Sequence, residues 1–185
     1  MTRQSRHPYL IIAYLACICL FVQCPGVYAQ KHTFWHYDIE DGLIQSQVVS
    51  LSTDQQHRLW MGTFGGACRF DGKEFIGYTR QNGLPNNYVG KVFTDKQNRT
   101  WFGTLNGLAM LQNNKIVTFK PPVPQKRNVV SYIVQDGEGT IWAIMSGYLF
   151  RVKSNALQRV TITDSASLVT SIAVNAHGSL FAAVY

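Results

Sequence analysis

Three tryptophans, Trp60, Trp101 and Trp142, stand 41 residues apart. A fixed period decides an architecture before any single residue does, because each unit must bury its apolar face against the next copy. Other columns keep the same phase. Asp54, Asp95 and Asp136 each lie six residues before a tryptophan, Gly62-Thr63 recurs as Gly103-Thr104, and Gly66 recurs as Gly107. Asp41-Gly42-Leu43 returns as Asn82-Gly83-Leu84. A fourth, degenerate copy has Asn175 in place of the aspartate and Phe181, 39 residues after Trp142, in place of the tryptophan.

The residues within one period predict strands and turns. Val48–Ser52 and Val89–Phe93 are short β-branched or aromatic runs, and each is followed by Asp-x-x-(Asn/Gly) or, in the first copy, Asp-x-x-His57. An aspartate opens such a turn by accepting backbone N–H bonds, and Gly or Asn takes the left-handed position. A second strand follows at Leu59–Thr63, Thr100–Thr104 and Ile141–Met145. A third follows the glycines at Ala67–Phe70, Leu108–Leu111 and Tyr148–Val152. Asp71-Gly72 and Asn113-Asn114 are hairpin signals leading to a fourth strand, Glu74–Thr79 and Lys115–Lys120. Four antiparallel strands in 41 residues make one blade of a β-propeller, whose repeats run to about 40–45 residues.

The expected fold is therefore all-β, with blades at about 48–80, 89–120 and 130–163 and a partial blade at 170–185. That is roughly 3.5 blades, an open set, since closed rings need about 4–8. Phe34 and Tyr37 sit one period before Phe75 and Tyr78, so residues 30–47 are expected to supply an outermost strand and a lead-in loop. On this reading the chain is a fragment or a truncated product. Its unclosed blades would make it marginally stable or prone to aggregate, because an open edge exposes strand and apolar sheet face.

Residues 1–29 read as an address. Arg3 and Arg6 precede an apolar run from Leu10 to Val22, 13 residues long, short of the roughly 20 that span a bilayer. Pro25-Gly26 follows, and then Val27-Tyr28-Ala29. This is the layout of a secretory signal peptide cut between Ala29 and Gln30, which implies a periplasmic or other extracytoplasmic protein. Cys17, Cys19 and Cys24 leave with it, so Cys68 is alone and forms no internal disulfide. No Cys/His cluster supports a metal, and no cofactor is expected. The formal charge of +7 falls by two on removal of Arg3 and Arg6, to +5. The remaining cations are scattered, with Lys126-Arg127 the one adjacent pair, which argues against a nucleic-acid surface.

The repeat resembles the two-component regulator propeller repeat. The pattern Asp-x-x-Gly-x-Leu-Trp-x-Gly-Thr stands here from Asp54 through Trp60 to Thr63, and from Asp95 through Trp101 to Thr104. The third copy departs from it after Trp142, which no Gly-Thr follows. The resemblance covers about residues 34–185. It implies the N-terminal piece of an extracytoplasmic sensor of Bacteroidetes-type bacteria, which senses an oligosaccharide and signals to a histidine kinase beyond Tyr185. Further blades, the kinase region and a homodimeric full-length form are the partners it implies. No catalytic residue is expected in this chain. The alternatives are a structural or protein-interaction propeller and, less favoured, a secreted propeller lyase or hydrolase.

Ligand contacts are expected on the face that carries the blade-to-blade loops and the loops between second and third strands. Asn86, Asn87 and Tyr88 combine amides with an aromatic face, the chemistry that a sugar requires. Arg80 and Arg127 could hold a charged group such as a uronate. The repeated Asp54, Trp60, Asp95, Trp101, Asp136 and Trp142 read instead as structural, the aspartates forming turns and the rings filling the space between sheets.

Overall fold

The computed structural model describes residues 34–121, 127–162 and 168–185. The proposed signal segment, residues 1–29, and part of the Pro121–Asn128 connection lie outside the described residues. Residues from Tyr37 onward form one unit.

Among the described residues, fourteen strands make three four-stranded antiparallel sheets and one pair. Blade 1 is β1 (Val48–Thr53), β2 (Leu59–Thr63), β3 (Ala67–Phe70) and β4 (Phe75–Tyr78). Blade 2 is β5 (Val89–Thr94), β6 (Thr100–Thr104), β7 (Gly107–Gln112) and β8 (Lys115–Phe119). Blade 3 is β9 (Val130–Gln135), β10 (Ile141–Met145), β11 (Tyr148–Lys153) and β12 (Ala156–Val160), and β13 (Val169–Val174) pairs with β14 (Leu180–Val184) in the partial blade 4. Each sheet keeps chain order from inside to outside, as a meander in which every strand pairs with its predecessor must. The first strands line up from blade to blade, β1 beside β5, β5 beside β9 and β9 beside β13.

The second strands and the third strand of blade 1 begin and end where the sequence predicts, and the other third strands extend one residue further at one or both ends. The fourth strand of blade 1 is shorter than Glu74–Thr79 because its two ends are claimed by turns. Asp71 Oδ1 accepts from the amides of Lys73 and Glu74, and Thr79 caps a 3-10 turn over Arg80–Asn82. One expectation is corrected. Residues 34–47 hold no strand among the described residues, because a lone extended segment without a hydrogen-bonded neighbour is not a strand. Tyr37 nevertheless packs on blade 1, its ring centroid 4.9 Å from Phe70 and 5.5 Å from Phe75.

The core lies between blades. Trp60, Tyr78 and Leu84 pack with Val89, Val92 and Phe102 at the first junction, and Trp101, Met110 and Phe119 pack with Val130, Ile133 and Ala143 at the second. Two strand glycines allow this approach. A Cβ on Gly62 would stand 2.5 Å from the carbonyl oxygen of Val89, and one on Gly103 would stand 2.7 Å from a Val130 methyl. The Gly of the Trp-x-Gly-Thr motif is thus a packing requirement imposed by the next blade. At the open ends, apolar side chains stay exposed, including Val49 and Leu51 on β1 and Phe181 on β14.

Candidate ligand-binding faces

Antiparallel strands put two kinds of loop at opposite ends of each blade. The loop end carries the blade-to-blade connections and the β2–β3, β6–β7 and β10–β11 turns. The Asp-turn end carries the turns opened by Asp54, Asp95, Asp136 and Asn175, and the outer hairpins.

At the loop end the connection from Arg80 to Tyr88 is tied to itself. Thr79 and Asn82 form a reciprocal capping box, and Gly83 closes the turn in the left-handed conformation. Gly42 repeats that conformation one period earlier, and Leu43 and Leu84 behind them plug the core. The predicted residues Arg80, Asn86, Asn87 and Tyr88 do come together here. Asn87 Oδ1 accepts from the Arg80 amide at 2.8 Å, and Asn86 Oδ1 accepts from the Tyr88 amide at 2.8 Å. Both side-chain oxygens therefore shape the loop, and the Asn87 and Arg80 side chains are exposed. The Tyr88 ring stacks on Phe64 with centroids 4.7 Å apart, and Phe64 is itself exposed. Arg127 is exposed on the next connection, and its carbonyl accepts from the Ser146 hydroxyl at 2.7 Å, so its contact runs to blade 3. The Phe64–Gly66 turn belongs to the face expected from the sequence, although Phe64 itself was not among the residues singled out.

At the Asp-turn end the six repeat residues form clasps. Asp54 Oδ1 accepts from the amides of Gln56 and Arg58, and Oδ2 accepts from Arg58 Nε at 2.7 Å and from the Trp60 indole at 2.9 Å. Asp95 repeats all four bonds, with Arg99 Nε at 2.6 Å and the Trp101 indole at 2.8 Å. Asp136 keeps the amide bonds and the indole of Trp142 at 2.7 Å, but Thr140 stands where an arginine would. Burial works against the Asp54 carboxylate, yet the indole of Trp60 and the amide and guanidinium of Arg58 outweigh it and hold its pKa below the ordinary value. Trp60 and Trp101 are buried and have no face free for a sugar. The left-handed slot holds His57, Asn98, Gly139 and Gly178, as the turn requires.

Among the described residues, clefts open at this end between neighbouring blades. One between blades 1 and 2 is lined by Arg58, Arg69 and Arg99, one between blades 2 and 3 by Arg99 and Met110, and one by Lys96, Asp136 and His177. None of these lining arginines was a sequence candidate. The signal was partly present, since Arg58 and Arg99 recur at the same period. No group of three or more His, Cys, Asp or Glu residues that could hold a metal exists among the described residues. Burial raises the pKa of the Cys68 thiol, which leaves it a packed, inert group.

The sheets, their radial order and the Asp–Trp clasps define an open β-propeller array. The model of the two-component regulator propeller family matches residues 42–65 and 83–106, so the chain carries this repeat in two consecutive copies. No curated protein sequence matches the chain. Among solved structures, the extracellular domain of a hybrid two-component system from B. thetaiotaomicron is similar, with a TM-score of 0.70 and 19% identity over 83% of this chain and 23% of that one. Another extracellular domain of this kind from the same organism has a TM-score of 0.64 and 25% identity over 75% of this chain and 20% of that one. Virginiamycin B lyase from Staphylococcus aureus shares the fold, with a TM-score of 0.61 and 12% identity over 73% of this chain and 48% of that one. The chain spans between a fifth and a quarter of the length of the two extracellular domains.

Proposed function

We propose that this chain is a ligand-sensing segment of an extracytoplasmic two-component sensor, detecting an oligosaccharide and passing the signal to a histidine kinase. The observation that carries the reading is the pair of in-phase two-component regulator propeller repeats. The extracellular domain with 25% identity supports it. Secretion after cleavage between Ala29 and Gln30 fits the same reading. The exposed apolar residues Val49, Leu51 and Phe181 mark faces on which further blades of a longer protein would stack. A protein-interaction role is the second reading, favoured by those same faces.

On the sensing reading the sugar lies against the loop end, over the Phe64–Tyr88 ring pair, with the amide nitrogens of Asn86 and Asn87 and the Arg80 guanidinium beside it. A ring pair of this kind offers the apolar face of a pyranose a platform, and the amides meet its hydroxyls. Binding can signal only by its difference in affinity between two conformations of the whole sensor. Calorimetric titration of the purified chain with a panel of neutral and acidic oligosaccharides tests this. Saturable binding that weakens at least about tenfold in Tyr88→Ala is expected. Absence of binding across the panel would favour the interaction reading.

A further inference from the structure

The cleft between blades 1 and 2 has a volume of 340 Å³, and Arg58, Arg69 and Arg99 all line it. Two of these arginines are already engaged. Arg58 and Arg99 each donate Nε to a buried aspartate, and Nη2 to Gln56 at 3.1 Å and Gln97 at 3.4 Å. Arg69 is different. Register places it across from Trp60, and its guanidinium carbon lies 5.9 Å from the centre of that ring. Its Nε is shut away from solvent and has no hydrogen-bond partner. Asp54 and Asp95 are each committed to their own arginine and indole. Asp71, the remaining carboxylate that feels Arg69, is fully exposed and held chiefly by the amides of Glu74 and Lys73. Three guanidiniums thus face two carboxylates that are already bonded.

The repeat supplies an internal control. The equivalent cleft between blades 2 and 3 is lined by Arg99, Trp101, Met110 and the hairpin residues Ser154 and Asn155. One period after Arg69 stands Met110, and one period after Arg99 stands Thr140. Met110 is buried against the neighbouring tryptophan's cluster, so packing at this position does not call for a charge. An arginine with a buried, unbonded Nε carries a desolvation cost that a thioether would avoid, and an anion held by the rest of the guanidinium would offset that cost.

We propose that the cleft between blades 1 and 2 is a binding site for a small oxyanion, a carboxylate or sulfate group carried on a hydroxylated molecule, with Arg69 as its central contact. The guanidinium fork matches a planar carboxylate or two oxygens of a sulfate. The amides of Gln112 and Asn113 on the same lining suit neighbouring hydroxyls. The site is at the Asp-turn end, opposite the Phe64–Tyr88 platform, and does not rest on the sensing reading.

Titration of the full chain with sodium sulfate and with sodium glucuronate, against sodium chloride at equal ionic strength, tests the assignment. The readout is the indole N–H resonance of Trp60. A saturable shift is expected with at least one of the two anions, with affinity falling at least about tenfold in Arg69→Met. Met110 shows that a methionine fits the equivalent place, and an unchanged amide spectrum checks the variant's fold. Arg69→Lys, which keeps the charge and loses the fork, should retain part of the affinity. Tighter binding of glucuronate than of sulfate assigns the carboxylate class, and the reverse order assigns the sulfate class. Linear, unsaturated shifts with both anions would overturn the proposal, and so would equal affinity in Arg69→Met.

Discussion

Blades 1 and 2 and the two blades that follow make the same turn with different numbers of bonds. Asp54 and Asp95 each accept four hydrogen bonds from turn amides, arginine and indole. Asp136 accepts three, and Asn175 two, both from the amides of His177 and Ser179. The backbone of the turn is nevertheless the same in all four, since the amide of Asn175 still donates to Ser179 as that of Asp54 does to Arg58. One oxygen, Oδ1, and a residue in the left-handed conformation therefore suffice for the turn. The second oxygen serves the tryptophan. Where Phe181 offers no N–H, an exposed asparagine stands in place of the carboxylate and keeps the turn bonds alone.

Alanine substitutions along this series should break the comparison most sharply. Asp95→Ala leaves the buried indole N–H of Trp101 and the Arg99 Nε without their acceptor, and should lower the unfolding free energy by about 3–5 kcal/mol. Asn175→Ala removes two exposed bonds and should lower it by about 1 kcal/mol. Urea unfolding of both variants checks the ratio, and equal losses would show that the second oxygen contributes nothing. A smaller effect is expected from the inter-blade glycine. Gly62→Ala drives a Cβ against the Val89 carbonyl and should cost about 2–3 kcal/mol, whereas the equivalent place in blade 3 already holds the buried Ile144, where Ile144→Val should cost about 0.5–1.5 kcal/mol. Differential melting of the pair distinguishes the two junctions.

The smallest effect is on pH dependence. The folded protein holds the Asp54 carboxyl below its ordinary value of 3.8, so its contribution is full above that value and is lost as pH falls through the lower, folded one. Chemical denaturation between pH 6 and pH 2 should show this acid loss reduced in Asp54→Asn. An unchanged acid slope would mean that the carboxylate is no better held in the fold than in the unfolded chain.

Much of the fold was legible because propeller blades are local. The meander pairs each strand with the one before it, so the Asp-x-x-(Asn/Gly) turns and the Asn113-Asn114 hairpin nearly determine the sheet, and both asparagines are left-handed as a two-residue hairpin needs. Trp60 and Trp101 lie buried in the inter-blade clusters, and Trp142 is half-buried. The candidate site was less legible. Asn86 and Asn87 have the composition of a sugar site, but their Oδ1 atoms are taken by backbone amides close in the chain, a use that composition does not distinguish from ligand contact. Residues 34–47 match the spacing of a fourth strand, yet spacing cannot supply the neighbour that a strand needs.

Period, turn chemistry and strand alternation, all carried within 41 residues, determined the blade and the order of its strands. The sequence by itself also marked which residues repeat. Tertiary structure decided why they repeat. The indole of Trp60 reaches Asp54 only after the turn folds β2 back beside β1, and Gly62 is required only because β5 arrives against it. Arg69 becomes a candidate contact only when register sets it across from Trp60 and the next blade closes the cleft with Arg99. Contacts between blades join residues about one period apart, and a linear pattern records that both exist without recording that they meet.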